Sequence, residues 1–251
     1  MKYMGSKNAI AKEIIPIMET VRNGRTWVEP FVGGANMIDK ITGNRIGNDL
    51  NHYLIAMWKA LQNGWEMPEF ISETEYKDLQ NNKDGRPPEL VAFVGFNTSF
   101  GGKWFGGYAR GKNNKGEQRN YTIEGKRNIL KQLHNLKGVQ FTSMPYWDMD
   151  IPENSLIYCD PPYEGTTKYK DDFNHFEFWD WCRQKAKEGH IVFVSEYNAP
   201  NDFKCVWSKT LTCDLAKSDK DRTEKLFTPS SFEKTEERGL FSFTDLPTNV
   251  D

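Results

Sequence analysis

Apolar residues at Ile10, Ile14, Ile17, Met18 and Val21 recur at helical spacing, which predicts a helix from about Lys7 to Val21, capped by Ser6 and ended before Gly24. Pro16 falls inside this pattern and weakens it, because proline removes an amide donor and bends a helix. A short strand from Thr26 to Glu29 then runs into the turn Pro30-Phe31-Val32-Gly33-Gly34, with a helix expected near Ala35 to Ile41. A second strand, Arg45 to Asn48, ends at Asp49, and a helix carrying Leu54, Ile55, Trp58 and Leu61 follows. Strand, glycine-rich turn, helix, and strand with an acid at its tip form the opening of a nucleotide-binding α/β sheet.

The rhythm breaks between about Gly64 and Gly138, where helix-like stretches surround the tract FNTSFGGKWFGGYARGKNNKG, whose glycines oppose regular helix. It resumes with a strand over Ser155 to Cys159, a helix over Asn174 to Lys187, and an almost wholly apolar strand over His190 to Val194, as buried parallel strands read. One sheet interrupted by an insertion accounts for both halves. The sheet domain is expected over 1–63 and 137–251, with a mainly helical inserted module over 64–136. There are no internal repeats, and Asp214 to Glu224 is polar enough to predict a mobile loop.

Composition changes this picture little. Of 251 residues, 37% are hydrophobic, 27% charged and 14% aromatic, with eight Trp, and the net charge of −2 excludes a general polycation that coats nucleic acid. Basic surface must therefore be local. Between Lys103 and Lys137 there are nine Lys or Arg against two acids, Glu117 and Glu124, readable as a solvated charged face or as a phosphate-binding surface. Cys159, Cys182, Cys205 and Cys213 lack metal-ligand spacing, and read as reduced thiols rather than a secreted disulfide framework. His52, His134, His175 and His190 are scattered, so no metal is expected; His175 is the histidine expected nearest a substrate. No apolar run is long enough to cross a bilayer and MKYMGSKN is not a signal peptide, so the expectation is a cytoplasmic protein without a membrane role.

The most informative string is Tyr158-Cys159-Asp160-Pro161-Pro162-Tyr163, at the carboxyl end of a predicted central strand, where open α/β sheets bind ligands. The prolines fix φ and lack amide donors, which leaves neighbouring carbonyl oxygens as acceptors. Asp160 and the Pro161 carbonyl can accept from an amino group on a planar base and pull its nitrogen toward a pyramidal shape, while Tyr163 stacks on the base. An ordinary strand-ending turn uses the same residue types. Asp49 is placed either to bind ribose hydroxyls or to cap the following helix.

Four strings in order carry a resemblance. Lys2-Tyr3-Met4-Gly5-Ser6-Lys7, Glu29 to Ala35, Asn48-Asp49-Leu50-Asn51 and Asp160 to Tyr163 resemble the motifs of the Dam-type, alpha-group DPPY DNA adenine N6-methyltransferases. Thr166 to Tyr169 and Arg222 to Phe227 also resemble that family, and Ala35 departs from it where a further glycine is common. The resemblance implies a Rossmann-like S-adenosylmethionine-dependent methyltransferase sheet with an inserted target-recognition module. It implies that Tyr3, Lys7, Phe31, Gly33, Asp49 and Asp160 contact S-adenosylmethionine, without a metal, and that Asp160, Pro161, Pro162 and Tyr163 are catalytic on an adenine flipped out of double-stranded DNA. The insert then reads DNA, with Arg110, Lys112, Asn113, Arg119, Lys126 and Lys131 as candidate contacts, and no obligate protein partner is evident. Trp104, Phe105 and Tyr108 either support that loop or enter the base stack. The alternatives are a catalytically inactive DNA-binding relative, and a methyltransferase acting on RNA adenine or a protein amide.

Overall fold

A computed structural model describes residues 1–165, 173–211 and 222–230, and the chain divides into two compact units, Met1–Asp150 and Ile151–Asp251. The first carries β1 (Trp27–Glu29), β2 (Arg45–Asn48) and β3 (Gln140–Thr142), all parallel, in the order β3-β2-β1. Every residue of β1 and β2 is buried, as strands covered on both faces must be. Helix α1 (Ala11–Arg22) buries Ala11, Ile14, Met18 and Arg22, and α2 (His52–Gln62) buries Leu54, Ile55, Met57, Trp58 and Leu61. The unit is thus α/β and Rossmann-like.

Two predicted helices are corrected. Ser6 caps only a single 3-10 turn, Lys7–Ala9, and α1 begins at Ala11; Pro16 sits inside α1 on its exposed side, where water can satisfy the carbonyl that loses its partner. After β1 there is no α-helix, only a 3-10 turn at Ile38–Lys40, because Gly33 and Ala35 both take positive φ, 48° and 53°, outside helical geometry. Strand β3 escaped prediction because its three residues carry too short an alternation and, unlike the equally short β1, run into no glycine-rich turn.

Between β2 and β3, α3 (Glu73–Asn81), α4 (Pro88–Asn97) and α5 (Tyr121–Leu133) follow α2. Helix α4 is buried at every position from Val91 to Asn97, so it is a central helix and not an amphipathic surface one. Gly95 makes room for Trp104: a Cβ there would lie 2.5 Å from the indole. Trp104, Phe105 and Tyr108 join an aromatic cluster, with ring centroids 4.7 Å apart for Phe96–Trp104, 4.8 Å for Trp104–Phe105 and 5.6 Å for Tyr76–Tyr108.

The second unit carries β4 (Leu156–Cys159), α6 (His175–Lys187), β5 (Ile191–Glu196), β6 (Phe203–Leu211) and β7 (Arg222–Pro229), in strand order β4-β5-β7-β6. β4 and β5 are parallel, while β7 is antiparallel to both β5 and β6. Strand β5 extends two residues past the predicted end, to Glu196. His190 is 7% exposed and its Nδ1 accepts the Ser155 amide at 3.1 Å, while burial lowers its pKa; it is a neutral brace at the foot of β4. Among the described residues no helix is long and apolar enough to cross a membrane, and no group of three or more His, Cys, Asp or Glu could hold a metal. Thr166 to Tyr169, Cys213 and most of the loop predicted over Asp214 to Glu224 lie outside the described residues, although the end of that loop prediction, from Arg222, is strand β7.

Candidate active site and nucleic-acid interface

The turn after β1 is held from every side. The Val32 amide donates to the Asn48 carbonyl at 2.7 Å, and the buried Asn48 side chain donates to the Pro30 and Met144 carbonyls while accepting from the Thr142 hydroxyl and the Met144 amide. The Asp49 carboxylate accepts the Gly33 amide at 3.0 Å with one oxygen and the Asn51 amide at 2.9 Å with the other. Asn51 caps α2 through the Leu54 amide. Asn48, Asp49 and Asn51 of the Asn-Asp-x-Asn string therefore each have a separate mechanical task.

Tyr3 lies directly on this turn. A Cβ at Gly33 would come within 2.8 Å of its ring, and one at Gly34 within 2.7 Å of its Cβ, so both glycines are needed for the approach. The Trp58 indole donates to the Gly33 carbonyl at 3.2 Å, and the buried Gln132 amide of α5 donates to the Gly34 and Ala35 carbonyls at 2.9 and 2.6 Å. Gln132 was not among the predicted residues; its signal was a polar side chain on the apolar face of α5, in line with Ile129 and Leu136. Phe31 stands 5.4 Å, centroid to centroid, from Tyr146. Lys7 is 8% exposed and its ammonium donates to the Gly5 carbonyl at 3.2 Å. Burial raises the Asp49 pKa, while the two amides it accepts oppose that rise.

In the second unit, Asp160 is the first residue beyond β4, half-buried, followed by buried Pro161 and half-buried Pro162 and Tyr163. The Tyr163 hydroxyl donates to the Glu224 carboxylate on β7 at 2.8 Å, and its ring meets Tyr197 edge-on at 4.6 Å and 89°. Burial foremost, then the Asp160 and Glu224 charges, hold the Tyr163 phenol well above the ordinary tyrosine value. Below this loop Tyr158 and Ser195 share a buried hydroxyl hydrogen bond of 2.8 Å. Glu196, 2% exposed, accepts the Tyr197 amide at 2.7 Å and the Glu164 amide at 3.2 Å. Burial pushes its carboxyl up to about 7 against the lowering effect of those amides, with the Asp160 and Glu164 charges adding to the rise. Glu196 and Glu224 were also missed. Glu196 carried the signal that singled out Asp160, an acid ending an apolar parallel strand, but the predicted strand stopped at Val194.

His175 opens α6, its ring 4.9 Å from Phe173.

The candidate DNA contacts lie elsewhere in the first unit. Residues 111 to 119 form a small hairpin, closed by the Arg119 amide on the Gly111 carbonyl at 2.9 Å, and residues 112 to 119 are exposed. Asn113 shapes its tip, accepting the Lys115 and Glu117 amides. Arg110 pairs with Glu73, Arg119 forks onto Glu124 while stacking over Tyr121 at 4.6 Å, and Lys126 pairs with Glu69 at 3.0 Å. Such exposed pairs are each worth about 0–1 kcal/mol, so exchange for a phosphate costs little. Lys112 and Lys131 are exposed, Lys112 beside an open recess of about 430 Å³ along the hairpin.

Residues 3–93 match the family model of D12 class N6 adenine-specific DNA methyltransferases. The chain is 25% identical over 208 residues to the type II methyltransferase M.FokI of Planomicrobium okeanokoites, and 25% identical over 205 residues to the modification methylase StsI of Streptococcus sanguinis. These alignments take in 73% and 72% of this chain but only 31% of each relative, so the chain spans about a third of the length of the curated relatives it matches. Among solved structures, the putative methyltransferase yhhF from Escherichia coli aligns with 6% identity and a TM-score of 0.38, covering 88% of this chain and 86% of that one. A putative methyltransferase, SMU.472, complexed with SAH aligns with 10% identity and a TM-score of 0.38, covering 90% of this chain and 53% of that one.

Proposed function

We propose that this chain, whose residues 3–93 resemble the D12 class N6 adenine-specific DNA methyltransferases, transfers a methyl group from S-adenosylmethionine to the exocyclic amino group of an adenine flipped out of double-stranded DNA. The observation that carries the reading is the braced Gly33-Gly34 turn with Asp49 at the ends of parallel β1 and β2, followed in the chain by Asp160-Pro161-Pro162-Tyr163 at the end of parallel β4. Ligands of parallel α/β sheets bind at such carboxyl ends.

The first group of residues fits the cofactor by its chemistry. Each Asp49 oxygen accepts one amide and keeps a lone pair for a ribose hydroxyl, and a carboxylate made unfavourable by burial gains from further donors. Tyr3, Phe31, Gly33 and Lys7 complete the set that holds it, with Asp160. When bound, S-adenosylmethionine supplies a methyl group already activated on a sulfonium, so the protein's work is alignment and exclusion of water.

Asp160 and the Pro161 carbonyl accept hydrogen bonds from the target amino group and localise its lone pair; the proton leaves late, by way of Asp160 to water. Pro162 keeps the segment rigid and Tyr163 stacks on the base. The stretch 64–136 is the target-recognition module, with Lys126 and Lys131 on phosphates and Arg110, Lys112, Asn113 and Arg119 in the tract toward base edges. Exposed, acid-paired arginines support a surface that exchanges partners on contact with DNA.

Incubation with tritiated S-adenosylmethionine and unmethylated DNA, RNA and protein in parallel tests the reading. Label should enter DNA as N6-methyladenine, and Asp160→Ala should abolish it while the protein still folds and binds duplex. Label in RNA or protein alone would transfer the reading to those substrates, and normal single-turnover methylation by Asp160→Ala would defeat the mechanism.

A further inference from the structure

One buried acid has no part in the chemistry above. Glu196 ends β5, is 2% exposed, and spends both carboxylate oxygens on backbone amides. One amide belongs to Glu164, the residue directly after Tyr163; the other belongs to Tyr197, whose ring packs edge-on against Tyr163 at 4.6 Å. A single side chain thus fixes the peptide units next to both members of this ring pair.

We propose that Glu196 is a positioning residue that clamps the Asp160–Glu164 loop through the Glu164 and Tyr197 amides, so that Tyr163 keeps the orientation needed to stack on the target base. The inference rests on the methyltransferase reading. Only the ionised carboxylate offers full acceptor strength to both amides at once; a proton on either oxygen leaves one amide with a weakened partner.

Burial foremost, with the charged surroundings adding to it, makes that ionisation sensitive to pH near neutrality. Asp160 at the end of β4 and Glu164 on the loop both disfavour the ionised form, Lys225 of β7 is the register partner of Glu196, and Glu224 beside it holds the Tyr163 hydroxyl. On β4 and β5 the Tyr158 and Ser195 hydroxyls bond each other, and α6 buries Phe178, Trp179 and Cys182. With its carboxyl pushed up to about 7, the clamp tightens as pH rises from 6 to 8.

Glu196→Gln keeps the size but places an amino group against one of the two amides, and so copies the protonated state at every pH. Amide-exchange protection at Glu164 and Tyr197, corrected for intrinsic rates, should rise between pH 6 and 8 in the wild-type protein and stay at the low-pH level in Glu196→Gln. The wild-type single-turnover rate should rise over the same range, while Glu196→Gln loses that limb and runs about tenfold slower at pH 8, the effect of one weakened charge-assisted hydrogen bond. Cofactor Kd should change less than the rate, since Asp160 is the one member of the proposed cofactor set on the clamped loop and Asp49 with its turn is untouched. Should the variant not fold, the wild-type protection profile decides alone: protection independent of pH at both amides overturns the clamp. Protection in Glu196→Gln equal to wild type at pH 8, or an unaltered pH–rate profile, also overturns it. If the wild-type chain methylates no duplex, the methyltransferase reading falls, and the protection data still judge the clamp.

Discussion

The turn after β1 and the hairpin at 111–119 are both glycine-bearing loops of the first unit, yet they are held in opposite ways. The turn is tied by Asn48, Asp49, Trp58 and Gln132, each bonding to a backbone group of buried Pro30, Gly33 or Gly34. The hairpin is exposed, and its basic flanks are held by ion pairs to Glu124 and Glu73 on the surface. Buried amide ties are costly to leave unmade, at about 1–3 kcal/mol each, whereas an exposed ion pair is worth about 0–1 kcal/mol. One loop is built to hold a fixed shape, which under the proposed function serves the cofactor, and the other to change partners.

Six substitutions sharpen or break that contrast. The largest effect is expected from Gly34→Ala, whose Cβ would lie 2.7 Å from both the Tyr3 Cβ and the Asn36 amide nitrogen. Overpacking of this kind costs roughly 2–3 kcal/mol. Urea unfolding should show it, and a midpoint within error of wild type would mean that Tyr3 is free to move aside.

Next, in the hairpin's flank, Arg110→Ala should leave stability within about 0.5 kcal/mol but cost roughly 1–3 kcal/mol at one base position of the recognised site. Lys126→Ala and Lys131→Ala should weaken binding to all duplexes alike, each lowering the salt slope by about one. Methylation rates over single-base site variants at several salt concentrations separate the two kinds. Equal slowing of every sequence by Arg110→Ala would remove its base-reading role.

Asp49→Ala should raise the S-adenosylmethionine Kd tenfold or more, about 1.5 kcal/mol, by calorimetry. Unchanged affinity would leave Asp49 as a brace of the Gly33 amide and nothing more.

The smallest effect is a gain. Ala35 is fully buried at φ 53°, where a Cβ costs about 1–2 kcal/mol, partly offset by the extra unfolded freedom of glycine, about 0.5–1 kcal/mol. Ala35→Gly should therefore stabilise by about 0.5–1 kcal/mol, read as a higher thermal midpoint; a loss would show that the Ala35 methyl packs better than its backbone is strained.

The sequence by itself determined the α/β alternation, the two glycine and acid motifs at strand ends, and the place of Asp160 beyond β4, because these depend on periodicity and on residue types with few structural uses. It determined β1, β2, β4 and α6 to within a residue or two, and the buried residues Leu54, Ile55, Trp58 and Leu61 of α2. Only the tertiary structure decided the rest. The helix expected at Ala35 to Ile41 gives way to a strained turn because Asp49, Trp58 and Gln132, distant in sequence, converge on its backbone. Trp104 and Phe105 are packed within the aromatic cluster around Gly95, a space no local pattern announces. Glu196 became a clamp on the Glu164 amide, and Arg110 an ion-paired cation on Glu73, through contacts whose partners the chain brings together only on folding. Local spacing fixes which face of an element is apolar; what a buried polar side chain does is set by the backbone groups left without partners around it.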